Sequence, residues 1–208
     1  MKLYGSTLSA NFRKVAAIAL ELEIDLHVNE VNVYQGDGQS AEYLAQNPLG
    51  QIPSLVDGDL VLRESNAIAL YLAEKYGNNP IYSNDFAQRA HINQWLFWES
   101  SQWQPMLSEV MGAVVGHVLL PAVLPAPENS PAWDADKCLK QLTFLEQHLS
   151  TGWVAGETLT IADFAVGAMT TYFSRCQFPF ELYPNITRWC NALHTRTSWA
   201  NTQHTLWR

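Results

Sequence analysis

The chain reads as two unlike halves, an α/β unit of order βαβαββα up to residue 77 and an all-α helical bundle beyond it. Three observations predict this. Short β-like runs alternate with helical periodicity before Gly77-Asn78-Asn79-Pro80, and nearly every later segment is helical. Asp57-Gly58 stands between two apolar runs, a strong hairpin signal because such turns need positive φ. Thr160-Ile161-Ala162-Asp163 is a capping box, with Leu159 and Phe164 at the hydrophobic-staple positions, and marks a helix start inside the second half.

Taken in order, Lys2 to Gly5 is a brief strand. Val15, Ile18, Ala19 and Leu22 recur at helical spacing and give the first helix one buried face. His27 to Val33 alternates and carries Val28, Val31 and Val33, which predicts a strand. Gly36-Asp37-Gly38 ends it, and Ser40 caps a short helix through Ala45. Ile52 to Val56 and Leu60 to Leu62 form the hairpin, and Ser65 opens a helix whose Ile68, Tyr71 and Leu72 share a face.

In the second half, Ala87 to about Gly116 is one long helix, and Trp133 to Leu149 another with Cys138, Leu142, Leu145 and Leu149 in register. Val110 to Pro127 is nearly all apolar, yet Pro121 and Pro125 remove donors that lipid cannot replace, so it reads as a helix end and an apolar loop. No membrane association is expected. Nothing at the N-terminus reads as a secretory leader.

Twelve Lys and Arg against twenty Asp and Glu give a net charge of −8, with 48% apolar and 15% charged residues. That balance describes a globular chain and argues against a nucleic-acid partner, whose phosphates need clustered cations. Cys138, Cys176 and Cys190 are odd in number and far apart, which suits buried thiols in a reducing cytoplasm. The six histidines form no pair at ligand spacing, and no metal is expected.

The βαβαββα order is thioredoxin-like, and a dithiol enzyme of that type needs cysteines where the first helix begins. This chain has Ser9-Ala10-Asn11-Phe12 there, which excludes a protein-borne dithiol cycle at that place. A helix N-terminus bearing a hydroxyl remains, suited to stabilising a thiolate that a ligand brings.

A second constellation is Asn47-Pro48-Leu49-Gly50-Gln51-Ile52-Pro53, then Asp57-Gly58, then Glu64-Ser65-Asn66-Ala67-Ile68. With it the chain resembles the glutathione transferase family over essentially its whole length. The first strand and turn look like the serine-using phi and theta classes. The resemblance implies a glutathione-binding thioredoxin-like domain over 1–77, a linker over 78–86 and an all-helical domain over 87–208 that contributes the electrophile pocket. It also implies a homodimer, detoxification chemistry and no cofactor beyond glutathione as cosubstrate.

The implied site follows residue by residue. Ile52-Pro53 would be cis, turning the Ile52 backbone toward a peptide-like ligand. Ser65 as an N-cap suits a carboxylate, and Glu64 an ammonium, together matching the amino-acid end of a γ-glutamyl group. Gln39 and Gln51 fall near the glycine carboxylate. Phi-class relatives commonly carry His and Lys at the positions of Gly38 and Gln39, so a cationic clamp is missing here and weaker glutathione binding follows. Ser9 is the expected catalytic hydroxyl, Tyr4 its rival and Asn11 a second-rank candidate. Trp95, Phe97, Trp98, Trp103, Met106 and Met111 crowd one helical stretch, as pocket lining or as core; Phe12, Trp103 and Met106 are the pocket candidates.

The function so implied is glutathione conjugation to small hydrophobic electrophiles through a Ser-stabilised thiolate. Two alternatives stay open: glutathione-dependent disulfide reduction or peroxide removal, since Asn11 after a hydroxyl residue also resembles the nu class, and a non-catalytic binding or regulatory protein on the same scaffold. No local motif names the electrophile.

Overall fold

A computed structural model describes residues 1–76 and 80–207, so Gly77, Asn78 and Asn79 of the expected linker turn lie outside the described residues. Four strands, β1 (Lys2–Gly5), β2 (His27–Glu30), β3 (Ser54–Asp57) and β4 (Leu60–Leu62), form one sheet in the order β2-β1-β3-β4. β1 runs parallel to β2 with Leu3 opposite Val28, and antiparallel to β3 with Leu3 opposite Leu55. The β3–β4 hairpin turns at Gly58, whose φ of 60° is the positive value its sequence anticipates.

Two strands are shorter than expected, for local reasons. β2 stops at Glu30 because Asn32 redirects the chain: its side chain accepts the Tyr34 amide at 3.1 Å and caps a 3-10 turn over Val33–Gln35. β3 begins at Ser54 because Pro53 has no N–H to give the ladder.

α1 (Ala10–Glu21) and α3 (Ser65–Lys75) cover one face of the sheet. Leu3, Val15, Leu55, Ile68 and Leu72 are fully buried between them. α2 (Ala41–Gln46), capped by Ser40 as expected, lies on the opposite face, where Tyr43 packs 6.2 Å from the Tyr4 ring.

In the helical half the expected single helix is interrupted. α4 (Phe86–Trp98) passes into a π turn over Glu99–Trp103 and continues as α5 (Gln104–Leu119). Pro105 brings no amide, and Ser100 and Ser101 give their hydroxyls to the Phe97 carbonyl at 3.2 and 2.7 Å, so the α ladder is broken there. α6 (Asp136–His148) starts later than Trp133, which instead buries its ring and gives its indole N–H to the Cys176 carbonyl at 2.9 Å. α7 (Ile161–Gly167) opens with the predicted capping box. α8 (Pro184–His194) and α9 (Thr197–Ala200) complete the bundle.

The bundle core does not stop at the half boundary. Ala10, Ala17, Ile18, Ala69 and Ala73, on the backs of α1 and α3, belong to the same buried cluster as the helical half. After Leu119 the apolar stretch is loop, and among the described residues no helix is long and apolar enough to cross a membrane.

Candidate functional site

The turn into α1 is held from both halves. Ser9 is the N-cap, and its Oγ accepts the Phe12 amide at 3.4 Å. Capping occupies a lone pair and leaves the Ser9 O–H free to donate. The Tyr172 hydroxyl accepts the Ala10 amide at 2.9 Å and donates to the Leu8 carbonyl at 3.0 Å, and Trp207 adds its indole N–H to that carbonyl at 3.3 Å. Burial raises the Tyr172 phenol above its ordinary pKa, so it holds the turn as a neutral group.

Ser9 lies where two cavities meet. The first, about 360 Å³, is walled by Asn47, Gly50, Gln51, Ile52, Pro53, Arg63, Glu64 and Ser65, with Asn11, Tyr34 and Gln104 closing the side toward the helical half. Ile52-Pro53 is cis. The Gln51 carbonyl beside it is fixed by the Tyr43 hydroxyl at 2.6 Å and the Asn47 amide at 2.7 Å. Among the described residues no protein group pairs with the Ile52 backbone, so its N–H and C=O are open to a ligand.

Gln39 is exposed and sits just behind that wall: a Cβ built on Gly50 would come 2.6 Å from Gln39 Nε2. Gly38 beside it is a packing requirement, since a Cβ there would fall 2.4 Å from the Gly50 carbonyl oxygen. Arg63 is the cation of this cavity's wall. Arg13 and Lys14 lie in the interior instead. Arg13 donates to Thr171 Oγ1 at 2.5 Å, the Trp199 carbonyl at 2.9 Å and Thr202 Oγ1 at 3.3 Å, and burial pulls its pKa down to about 9.

Ser65 differs from its expected role. The N-cap of α3 is Glu64, in the left-handed region at φ 63°, and Ser65 is the first helical residue. Its Oγ donates to Asn11 Oδ1 at 3.3 Å and accepts from Lys14 Nζ at 3.1 Å. Lys14 Nζ also meets Asn66 Oδ1 at 2.8 Å and Glu99 at 3.4 Å, and Asn66 Nδ2 donates to Glu99 Oε2 at 2.8 Å. Burial lowers the Lys14 pKa, while the charges of Glu99 and Glu64 oppose that shift. This floor beneath Ser65 was missed in the sequence. Its only signal is a charge at otherwise apolar positions: Lys14 among the inward residues of α1, and Glu99 inside a tryptophan-rich stretch.

The second cavity, about 210 Å³, runs from Ser9 along α5 and is walled by Tyr34, Met111, Gly112, Val115, Met169 and Tyr172. Of the aromatic and Met stretch only Met111 borders it, and that side chain is itself fully buried in the core. Phe12 (1% exposed), Trp103 (0%) and Met106 (1%) are packed into the cores, which removes them from the pocket wall. Trp103 gives its indole N–H to the Val166 carbonyl at 3.0 Å. Trp95 stacks on Phe144 of α6, and Trp98 stacks on Trp103 and meets Phe144 tilted, so neither faces the cavity. Tyr4 points to the α2 side of the sheet, away from Ser9, whereas Asn11 borders both cavities. Among the described residues no group of His, Cys, Asp and Glu could hold a metal ion.

The sequence matches the glutathione S-transferase N-terminal domain over residues 3–80 and the C-terminal domain over 127–192. It is 32% identical over 212 residues to glutathione S-transferase 3 of Zea mays, covering 97% of this chain and 92% of that one. Among solved structures, poplar glutathione transferase F1 shares 29% identity with a TM-score of 0.82, covering 97% of this chain and 95% of that one. A glutathione S-transferase-I bound with lactoylglutathione shares 28% identity with a TM-score of 0.82, covering 97% of each chain.

Proposed function

Because the chain belongs to the glutathione S-transferase family, we propose that it conjugates glutathione to small apolar electrophiles, with the Ser9 hydroxyl donating to the glutathione thiolate. The observation that carries this is the place of Ser9: at the meeting point of a polar cleft and a more apolar cavity, with its hydrogen uncommitted. The polar cleft suits the tripeptide, with the Ile52 backbone pairing as an added strand does, Glu64 taking the ammonium and the first turn of α3 at Ser65 taking the γ-glutamyl carboxylate. Gln51, Pro53 and, from behind Gly50, Gln39 complete that half. Ser9 acts as a hydrogen-bond donor and not as a nucleophile, since no general base is hydrogen-bonded to it. The thiol proton leaves to solvent, and sulfur attacks an electrophile seated along α5.

The reductase or peroxidase alternative rests on Asn11, whose Oδ1 is already engaged by the Ser65 hydroxyl. The division at 1–77 and 87–208 is retained for the two binding halves, and the buried cysteines fit a reducing cytoplasm. A two-fold homodimer fits the open α3–α4 face, where a hollow of about 450 Å³ is flanked by Ala67, Leu70, Leu96 and a 74% exposed Phe97. Light scattering that gives a monomer mass at micromolar concentration removes the dimer.

The deciding experiment compares Ser9→Ala with Tyr4→Phe across pH. A hydrogen bond and helix N-terminus that lower the thiol pKa by one to two units supply ~1.4 kcal/mol per unit, so Ser9→Ala loses roughly ten- to a hundred-fold in turnover at neutral pH. It recovers part of that loss at high pH, where thiolate forms unaided, and leaves the glutathione KM nearly unchanged. Tyr4→Phe stays near the parent. Exchange of the two behaviours refutes the serine assignment.

A further inference from the structure

Gly112 stands in the middle of α5, where glycine costs a helix roughly 1 kcal/mol relative to alanine. Packing does not demand it. A Cβ built at Gly112 meets no atom within 4 Å, whereas at Gly116, one turn on, it would come 2.9 Å from Leu124 Cδ1. That leucine belongs to the loop that folds back over α5 and is tied there by His117 Nδ1 and the Leu124 carbonyl, 2.8 Å apart. The loop therefore covers Gly116 and stops short of Gly112. Gly112 is itself exposed, and it lines the cavity of about 210 Å³ that also holds Ser9.

We propose that Gly112 is the size-determining residue of the electrophile pocket, its missing side chain leaving room for a flat acceptor larger than one aromatic ring. The proposal rests on the transferase assignment above. Tyr34 and Tyr172 supply rings and Met169 a thioether, which suit a flat apolar group. An engineered cavity of about 150 Å³ takes one benzene, so the cavity as a whole, at about 210 Å³, exceeds a single ring, and a leucine reaching into it from position 112 would reduce it toward one.

The test uses the full chain, Gly112→Ala and Gly112→Leu, with two readouts. Calorimetry measures binding of glutathione, S-benzylglutathione and S-(naphthylmethyl)glutathione. Turnover is measured with benzyl chloride and naphthylmethyl chloride; sulfur forms the C–S bond, chloride leaves with the C–Cl electron pair, and the thiol proton passes to solvent. The expected result is that Gly112→Leu weakens the naphthylmethyl conjugate about tenfold relative to the benzyl conjugate, with Gly112→Ala between. Free glutathione binds alike in all three proteins, and thermal stability is equal or higher in the variants. A naphthylmethyl-to-benzyl ratio unchanged in both variants overturns the proposal, and Gly112→Ala alone decides if Gly112→Leu does not fold. A parent protein that binds neither conjugate overturns it as well. If the ratios shift while neither chloride is turned over, the size assignment stands and the transferase assignment falls.

Discussion

The Tyr172 hydroxyl takes the first amide of α1, that of Ala10, at 2.9 Å. A residue of the helical half thereby holds the backbone on one side of Ser9, and by donating to the Leu8 carbonyl it holds the other side too. Helix N-terminal amides have no partner within their helix, and Phe12's is taken by Ser9 Oγ. The amide of Asn11, bordering both cavities, is the one left to face a ligand among the described residues at that end.

Tyr172→Phe leaves the Ala10 amide buried without its acceptor. The expected loss is about 1–3 kcal/mol of stability, read by urea denaturation. Turnover falls more than glutathione affinity does, because the turn at Ser9 loosens while the Ile52 and Glu64 side of the cleft is untouched. Equal losses in both would assign Tyr172 a purely structural part.

Lys14 and Glu99 are 0% and 1% exposed, 3.4 Å apart, and join α1 to the π turn. Lys14→Met strands a buried carboxylate and is expected to destabilise by about 3–5 kcal/mol. The double variant Lys14→Met with Glu99→Leu recovers most of that, because a well-packed apolar pair avoids the desolvation of two charges. Both proteins bind glutathione more weakly than the parent, since Ser65 Oγ loses its Lys14 donor. Additive effects in the double-mutant cycle would refute the coupling.

Glu64 holds φ at 63°, a region that strains a residue with a side chain by about 1–3 kcal/mol. Glu64→Gly relieves that strain and removes the carboxylate assigned to the ammonium. Thermal stability is therefore expected to rise by a few degrees, at roughly 2–4 °C per kcal/mol for a chain of this size, while glutathione affinity falls. A variant that gains stability and keeps its affinity would free Glu64 from the site.

Two buried groups oppose each other in mild acid. Burial raises Asp163 to about 6, against the hydrogen bonds it accepts from Val154, Thr160 and Trp189. Burial, reinforced by the charge of Arg13, lowers His194 to about 4. As pH falls below 6 the folded state takes up a proton at Asp163 before the unfolded chain does, which stabilises it. Over the same interval the unfolded chain protonates His194 first, which destabilises the fold. The parent's stability is expected to change little between pH 6 and 4.5 from this pair. His194→Gln removes the opposing member, so Asp163 then adds about 1.5 kcal/mol of stability over that interval, read against the parent in urea titrations. A flat or falling profile in the variant would contradict the Asp163 shift.

What the sequence determined by itself was local. Asp57-Gly58 set the hairpin, Ser9, Ser40 and Thr160 set helix starts, and Ile52-Pro53 with Glu64-Ser65 marked the walls of one cleft, because caps, turns and periodic faces depend on neighbours along the chain. Strand ends and helix breaks were less legible: Asn32 ended β2 and Pro105 with Ser100 and Ser101 interrupted the long helix through contacts that periodicity does not register. Only the tertiary structure decided which of many apolar residues face the cavity. Trp103, Met106 and Met111 are all buried in the core, while Gly112 and Val115, on the same helix as Met106 and Met111, border the cavity, since a helix turns its face by packing against elements far away in sequence. The Lys14–Glu99 floor and the Tyr172 hold on the Ser9 turn join residues distant in the chain, and no local pattern carries the energy of a contact that exists only when both halves are folded.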